Sequence, residues 1–183
     1  MFMSPRINGR MRSIPTSKKI HLQKPYQRSR MPFQQSFEQS IQISASATAV
    51  ERCITDLNLM HRWLNPALRC ESVGEWSTDV GSRSRFIIQI PFLRPALNSV
   101  VAAREPGLVV WEFDGFFHGR DRWECRPNDR GTYLLNRFEF EIPNSLVRFG
   151  FNTFAATWTQ EDMQAQLRRL KRVAEELHQK LHT

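Results

Sequence analysis

The feature that most constrains the fold of this chain is a long amphipathic helix pattern that follows a stretch of alternating apolar and polar residues. Near the end of the chain, apolar residues recur at the spacing of one helix face: Met163, Leu167, Leu170, Val173, Ala174, Leu177 and Leu181. A helix with one apolar face can bury that face only against another layer, which the preceding strands supply. The order therefore predicts a curved sheet closed by a terminal helix, with a cavity between them as the place for function.

The alternation predicts a first strand at residues 37–43, followed by two short helices. Thr48 and Glu51 have the spacing of a capping box for the first helix. The second helix is expected over residues 59–64 and ends before Pro66. Six further strands are predicted at residues 68–76, 82–92, 98–104, 108–113, 117–126 and 132–142. The expected fold class is therefore α+β, with a seven-stranded antiparallel sheet, two short helices after the first strand and a long terminal helix over the sheet.

The parity of side chains in the last two strands predicts how these strands pair. A four-residue turn at 128–131 keeps both apolar faces inward. In that register Trp123 lies opposite Asn136, and both face the interior. Asp121 then lies opposite Phe138 on the same face. The outer face carries two pairs of opposite charge: Arg120 with Glu139, and His118 with Glu141.

The positive charge of the chain is concentrated at its start. The net charge is +8, yet residues 1–36 hold eight basic residues and no acidic one, which leaves 18 basic and 18 acidic residues in the remainder. We therefore expect no nucleic-acid partner for the folded part. Residues 1–35 contain four prolines and no periodic pattern, so we expect a disordered tail before a ligand-binding domain at 36–183.

Three interpretations of the tail stay open. It is an inert leader or a start-site artefact, a transit peptide for an organelle stroma or matrix, or an arm that binds an anionic membrane or RNA through residues 1–30. If the tail is such an arm, its deletion removes a salt-sensitive association. The last helix carries a second basic group on its polar face, which we interpret as a solvated face, with membrane docking as the alternative: Arg168, Arg169, Lys171 and Arg172.

The cysteines and histidines do not form a metal-binding pattern. Cys53, Cys70 and Cys125 are widely spaced, and we expect reduced, buried thiols in a cytoplasmic protein. His61 and His118 are far apart in sequence with no third ligand nearby, so we expect surface or rim positions and no metal or cofactor. No apolar stretch is long enough to span a membrane, which predicts a soluble protein.

Aromatic residues on the inward positions are the candidates for binding a small molecule, because ligand pockets are usually lined in this way. The competing interpretation is an ordinary hydrophobic core. A buried indole also needs a partner for its N–H group, and Asn136 is expected to serve Trp123 or to orient a ligand carbonyl. The candidate ligand-binding residues are Trp63, Phe86, Ile88, Trp111, Phe113, Trp123, Asn136, Phe138 and Trp158.

Asp121 is the candidate catalytic residue, and two interpretations of it compete. Because Arg120 and Arg122 are its neighbours, the simpler interpretation is a carboxylate paired with arginine near a strand end. In the alternative, strand parity turns Asp121 inward beside Trp123, where burial raises its pKa and allows acid–base chemistry. A bulge at Gly119 would turn the carboxyl outward.

Several segments resemble the START-like, or SRPBCC, superfamily. Residues 57–66 read LNLMHRWLNP, which looks like the short-helix stretch of that superfamily, where an aromatic residue and Asn-Pro close the second helix. Residues 80–83 (VGSR), 106–111 (PGLVVW) and 131–132 (GT) are similar to its turns into strands, and the resemblance extends over residues 37–181. It implies a helix-grip fold that holds hydrophobic molecules. Relatives include polyketide cyclases and dehydratases, lipid carriers and coenzyme-Q-binding proteins.

The sequence favours a noncatalytic protein that binds or transports a hydrophobic molecule, such as a lipid, quinone, polyketide or pigment-related compound, under the last helix. Asn136, Asp121 or Arg137 would orient that molecule. The first alternative is a polyketide cyclase or dehydratase that uses Asp121 as acid or base. The second is a membrane- or RNA-tethered interaction module that acts through the basic tail.

Overall fold

The computed structural model describes residues 35–89, 94–115, 117–142 and 156–181, with side chains from residue 160 onward in the last range. Within these ranges the elements follow the predicted order. They are β1 (Gln35–Ile43), α1 (Ala47–Thr55), α2 (Leu57–Trp63), β2 (Leu68–Ser72), β3 (Arg83–Ile88), β4 (Ala96–Glu105), β5 (Leu108–Asp114), β6 (His118–Asn128), β7 (Gly131–Glu141) and α3 (Ala156–Lys180). The basic tail and the predictions made for it lie outside the described residues.

The seven strands of the described chain form one curved antiparallel sheet in the order β1-β7-β6-β5-β4-β3-β2. The register shifts between Val101 and Ala103 in β4, and such a bulge bends a strand and increases its twist. Helix α3 packs against β1, α1 and α2. This arrangement is the predicted α+β helix-grip fold, in which a long helix lies over a curved sheet.

The predicted pairing of β6 with β7 is confirmed. Trp123 lies opposite Asn136, and Asp121 lies opposite Phe138. On the outer face, Nε of Arg120 lies 2.5 Å from Glu139, and His118 lies 3.5 Å from Glu141. The pairing continues through Gly119 without a bulge. Glycine makes this close approach of β6 and β7 possible, since a Cβ added at position 119 would lie 2.0 Å from the carbonyl oxygen of Glu139.

The predicted capping box of α1 is wrong. Ser46 is the N-cap, and its hydroxyl accepts a hydrogen bond from the N–H of Ala49 at 3.3 Å. Thr48 is an exposed residue within the helix. Glu51 instead binds Arg104 and accepts a hydrogen bond from the N–H of Gly107 at 2.8 Å. A tertiary contact to the β4–β5 turn therefore replaces the local one that the spacing predicted.

The bounds of several other predicted elements also differ from the structure, most clearly those of α2, β2 and β3. Helix α2 begins at Leu57, before the predicted residue 59, because the Asp56 carboxylate caps the N–H groups of Asn58 and Leu59. Strands β2 and β3 are shorter than predicted, although residues 90–92 of the predicted third strand lie outside the described residues. Trp76 therefore lies beyond the sheet, where its indole N–H donates to the carbonyl oxygen of Thr55 at 2.9 Å.

The core lies between the concave face of the sheet and the three helices, and it contains all three cysteines as free, buried thiols, as predicted. Burial raises the pKa of Cys53 to about 11 and that of Cys70 to about 12. Both thiols are therefore protonated at neutral pH. In the described part of the chain, no helix has the length and apolar character needed to cross a membrane.

Candidate functional site

A cavity of about 310 Å³ lies between the inward face of the sheet and helices α2 and α3. Eight of the nine predicted ligand-binding residues line it: Trp63, Phe86, Ile88, Trp111, Phe113, Trp123, Asn136 and Phe138. The side chain of the ninth, Trp158, lies outside the described residues. Asp121 also lines the cavity. The structure therefore brings these candidates together, and their role in binding stays a prediction.

The helices and the neighbouring strands supply lining residues that the sequence interpretation missed. They are Ile54, Met60, Leu64, Asn65, Leu68, Leu97, Phe117, Asp162, Met163 and Gln166. Met163 belonged to the periodic pattern of the last helix, but that pattern does not distinguish a residue that faces a cavity from one packed in the core. To predict which side chains of α2 line the cavity, one must know how that helix lies over the sheet.

Aromatic rings in contact with one another form much of the wall. The rings of Trp63 and Trp123 meet edge to face with centroids 5.4 Å apart, and those of Phe113 and Phe138 stack at 5.1 Å. The indole N–H of Trp63 donates to the carbonyl oxygen of Cys53 at 2.8 Å. Because this N–H is satisfied by the backbone, Trp63 contributes apolar surface to the cavity.

A hydrogen-bonded trio on β6 and β7 forms one polar part of the cavity wall, and we call it the polar trio: Asp121, Trp123 and Asn136. The Trp123 indole N–H donates to Oδ2 of Asp121 at 2.7 Å. Nδ2 of Asn136 donates to Oδ1 of Asp121 at 2.6 Å and to the carbonyl oxygen of Arg122 at 3.3 Å. Asn136 thus serves Asp121 and not Trp123, its directly opposite residue.

The expected pairing of Asp121 with an arginine is wrong. Successive side chains of a strand point to opposite faces, so Arg120 and Arg122 lie on the outer face of the sheet while Asp121 faces the cavity. Arg120 pairs with Glu139, and Arg122 pairs with Glu124. No described basic residue lines the cavity beside Asp121.

The environment of Asp121 changes its acidity. Removal from water raises the pKa of the carboxyl from 3.8 to about 6, and the hydrogen bonds from Trp123 and Asn136 oppose this rise by stabilising the carboxylate. Part of the Asp121 surface still faces the cavity. A carboxyl with this pKa can exchange a proton with a bound molecule near neutral pH.

Helix α3 is attached beside the cavity by Arg169, for which the sequence predicts a solvated position. Its Nε donates to the carbonyl oxygen of Trp63 at 2.8 Å, and its Nη2 lies 3.7 Å from Oδ1 of Asp162. Lys171 is also engaged, since its Nζ donates to the carbonyl oxygen of Gln42 at 2.8 Å. The prediction of a fully solvated basic face is therefore wrong for these two residues. Arg168 and Arg172 are exposed as expected.

Arg137, expected at the cavity wall or rim, lies on the outer face of β7. Its Nε donates to Oε2 of Glu38 at 2.7 Å. The reason is strand alternation, because Arg137 stands between two residues that face the cavity. His61 lies with Nε2 2.8 Å from the carbonyl oxygen of Cys70. In the described ranges, no cluster of three or more His, Cys, Asp or Glu side chains is arranged to hold a metal ion.

Comparisons with known proteins agree with this fold. No curated protein matches the chain. The chain is similar to protein TTHA0849 of Thermus thermophilus, with 16% identity and a TM-score of 0.64 over 76% of this chain and 97% of that one. It is also similar to protein CV1439 of Chromobacterium violaceum, with 18% identity and a TM-score of 0.61 over 76% of this chain and 97% of that one. The family model for polyketide cyclase / dehydrase and lipid transport proteins matches residues 34–175, and the chain belongs to that family.

Proposed function

We propose that this protein binds a hydrophobic small molecule in the cavity under α3. The observation that carries the proposal is the cavity wall, in which aromatic and aliphatic side chains surround about 310 Å³ and a single carboxyl lies on the sheet side. Pockets for small molecules are typically apolar with a few convergent polar groups. The family to which the chain belongs includes lipid transport proteins, which is consistent with this role.

The volume of the cavity limits the size of the ligand that it can hold. Pockets for small molecules range from about 300 to 1,000 Å³, so this cavity suits a molecule of two or three rings or a short chain rather than a two-chain lipid. Burial of about 300 Å² of apolar ligand surface contributes on the order of 7 kcal/mol before the costs of association. Hydrophobic burial therefore supplies most of the affinity.

The test is a fluorescence titration of the full chain with N-phenyl-1-naphthylamine, a neutral apolar probe, together with native mass spectrometry of molecules that copurify. We expect saturable binding at one site. Leu97→Trp places an indole in the cavity and should abolish binding, whereas Tyr133→Trp, on the exposed outer face, should leave it unchanged. Circular dichroism checks that both variants fold. Failure to bind, or binding that Leu97→Trp does not affect, would contradict the proposal.

The second candidate function is catalysis of the cyclase or dehydratase type, and the observation that favours it is the pKa of about 6 at Asp121. In its carboxylate form Asp121 could remove a proton from carbon beside a ketone, and in its protonated form it could return that proton to a departing hydroxyl group. The test is turnover of aromatic polyketide precursors by the full chain. Asp121→Asn should lose turnover and keep binding if the residue is catalytic.

A further inference from the structure

The polar trio offers hydrogen-bond acceptors to the cavity while its own donors are already used. We propose that the polar trio makes the cavity prefer small apolar molecules that carry a hydroxyl group, which donates to Asp121 or Asn136, over carboxylic acids and ethers of the same shape. This inference rests on the proposed function, because it specifies the class of molecule that the same cavity binds.

The donors of the trio are occupied within the protein. The single indole N–H of Trp123 donates to Oδ2 of Asp121 at 2.7 Å. The amide group of Asn136 has two N–H bonds, and they donate to Oδ1 of Asp121 and to the carbonyl oxygen of Arg122. Both partners of this nitrogen are acceptors, which fixes the orientation of the amide. A ligand that brings only acceptors therefore finds no free N–H group in the trio.

The oxygen atoms of Asp121 and Asn136 can still accept hydrogen bonds from a ligand. Each oxygen of an ionised carboxylate has two lone-pair directions, and each oxygen of Asp121 accepts one hydrogen bond within the trio. Oδ1 of Asn136 accepts none from the described residues, although Asn136 is only 3% exposed. A ligand hydroxyl can donate to either group. An ether or an anion of the same shape lacks that donor.

The charge at the cavity also opposes an anionic ligand. The two charged residues among the described lining are Asp121 and Asp162, and both are acidic. Arg169 lies 3.7 Å from Asp162 and offsets its charge. The arginines next to Asp121 in sequence are paired with glutamates on the outer face. A carboxylate ligand would therefore meet an unbalanced negative charge in an apolar setting, whereas a neutral hydroxyl avoids both repulsion and the cost of burying a charge.

The experiment compares three probes that share one ring system: 2-naphthol, 2-methoxynaphthalene and 2-naphthoate. The full chain is titrated with each by calorimetry at about pH 7.5, where Asp121 is ionised, and at physiological salt, where nonspecific attraction of an anion to the basic chain is screened. We expect 2-naphthol to bind about tenfold more tightly than its methyl ether, as a hydrogen bond to a charged group predicts. Naphthoate should bind more weakly than the ether.

Asp121→Asn tests whether the trio causes this selection. The substitution preserves the shape of the side chain, removes its charge and introduces a donor into the trio. We expect the preference for naphthol over the ether to fall to about twofold or less, and the affinity for naphthoate to rise. Asp114→Asn, on the exposed face of β5, makes the same change of charge away from the cavity and should leave all three affinities unchanged.

The outcomes separate this inference from the proposed function. If naphthol and its ether bind equally well, or if naphthoate binds as tightly as naphthol, the protein is an apolar binder without the proposed selection, and the inference is overturned. A preference that Asp121→Asn leaves intact also overturns it. If N-phenyl-1-naphthylamine binds and naphthol does not, the inference fails and the proposed function stands. If neither binds, both fail.

Discussion

Nε of Arg169 lies 2.8 Å from the carbonyl oxygen of Trp63, and this hydrogen bond joins the last helix to α2 directly beside the cavity. The two residues are separated by 106 positions in the chain. The indole of Trp63 lines the cavity, so the bond fixes the backbone of a wall residue relative to α3. Helix α3, which lies over the cavity, is therefore attached to the cavity wall at Trp63.

The Arg169 contact should contribute measurably to stability. Arg169→Met removes the hydrogen bond to Trp63 and the positive charge beside Asp162, and we expect it to lower the free energy of unfolding by about 1.5–3 kcal/mol. Arg168→Met, one residue earlier on the exposed side of α3, should change it by less than about 0.5 kcal/mol. Urea denaturation of both variants measures the difference. Equal effects would mean that the Arg169 contact contributes nothing specific.

Glu51 and Thr48 provide a direct comparison between the contact in the structure and the capping box that the spacing predicted. Glu51→Ala removes bonds to Arg104 and to the N–H of Gly107, and should destabilise the protein by about 2–3 kcal/mol. Thr48→Ala should have little effect, because Ser46 is the N-cap. Thermal unfolding of the two variants is the measurement. A capping box would instead make Thr48→Ala cost about 1 kcal/mol.

Gly119 is expected to tolerate no side chain. In Gly119→Ala the new Cβ would lie 2.0 Å from the carbonyl oxygen of Glu139 and 2.6 Å from Cα of Phe140, so β6 and β7 must separate locally. We expect Gly119→Ala to lower the free energy of unfolding by about 2–3 kcal/mol. Gly81→Ala is the comparison, because Gly81 has a φ of +91° but open space around it, and strain there should cost about 1 kcal/mol. Chemical denaturation gives both values, and a Gly119 variant as stable as wild type would contradict the register.

Asp121 should make the stability of the protein depend on pH. The unfolded chain loses this proton near its ordinary pKa of 3.8, and the folded chain loses it near 6. Between these values the folded state binds more protons, so its stability falls as the pH rises through this window. Each pKa unit corresponds to about 1.4 kcal/mol, so the free energy of unfolding should fall by on the order of 3 kcal/mol across this pH window.

The measurement is urea denaturation at several pH values from about 4 to 7, for the wild type and for Asp121→Asn. The variant lacks the titrating group, so the part of the slope due to Asp121 should disappear. If the two proteins keep parallel profiles in this window, Asp121 does not have a raised pKa in the folded chain.

The sheet and one side of the cavity could be predicted because the relevant signal is local. Alternation along β6 and β7 assigns Trp123, Asn136 and Phe138 to one face, and a four-residue turn is enough to set their pairing. The same rule turns Asp121 inward and its arginine neighbours outward. Sequence proximity favours Arg120 and Arg122 as partners of Asp121, but strand alternation puts both arginines on the opposite face, where they pair with glutamates.

The contacts contributed by the helices could not be predicted in the same way. Glu51 has a helix-cap spacing in sequence, but its partners lie more than fifty residues further along the chain. The polar face of α3 was equally ambiguous, because whether Arg169 meets water or Trp63 depends on the rotation of the helix over the sheet. An amphipathic pattern specifies an apolar face, but it does not specify the partners at the boundary of that face.

The three buried thiols can report local opening of the protein in three different regions. Alkylating reagents attack exposed thiolates, whereas Cys53, Cys70 and Cys125 are enclosed and have pKa values of about 11, 12 and 12. Each can therefore be labelled only when its own surroundings open. Because one thiol lies on α1, one on the edge strand β2 and one on β6, their separate labelling rates would time the motions of three regions in an unmodified chain.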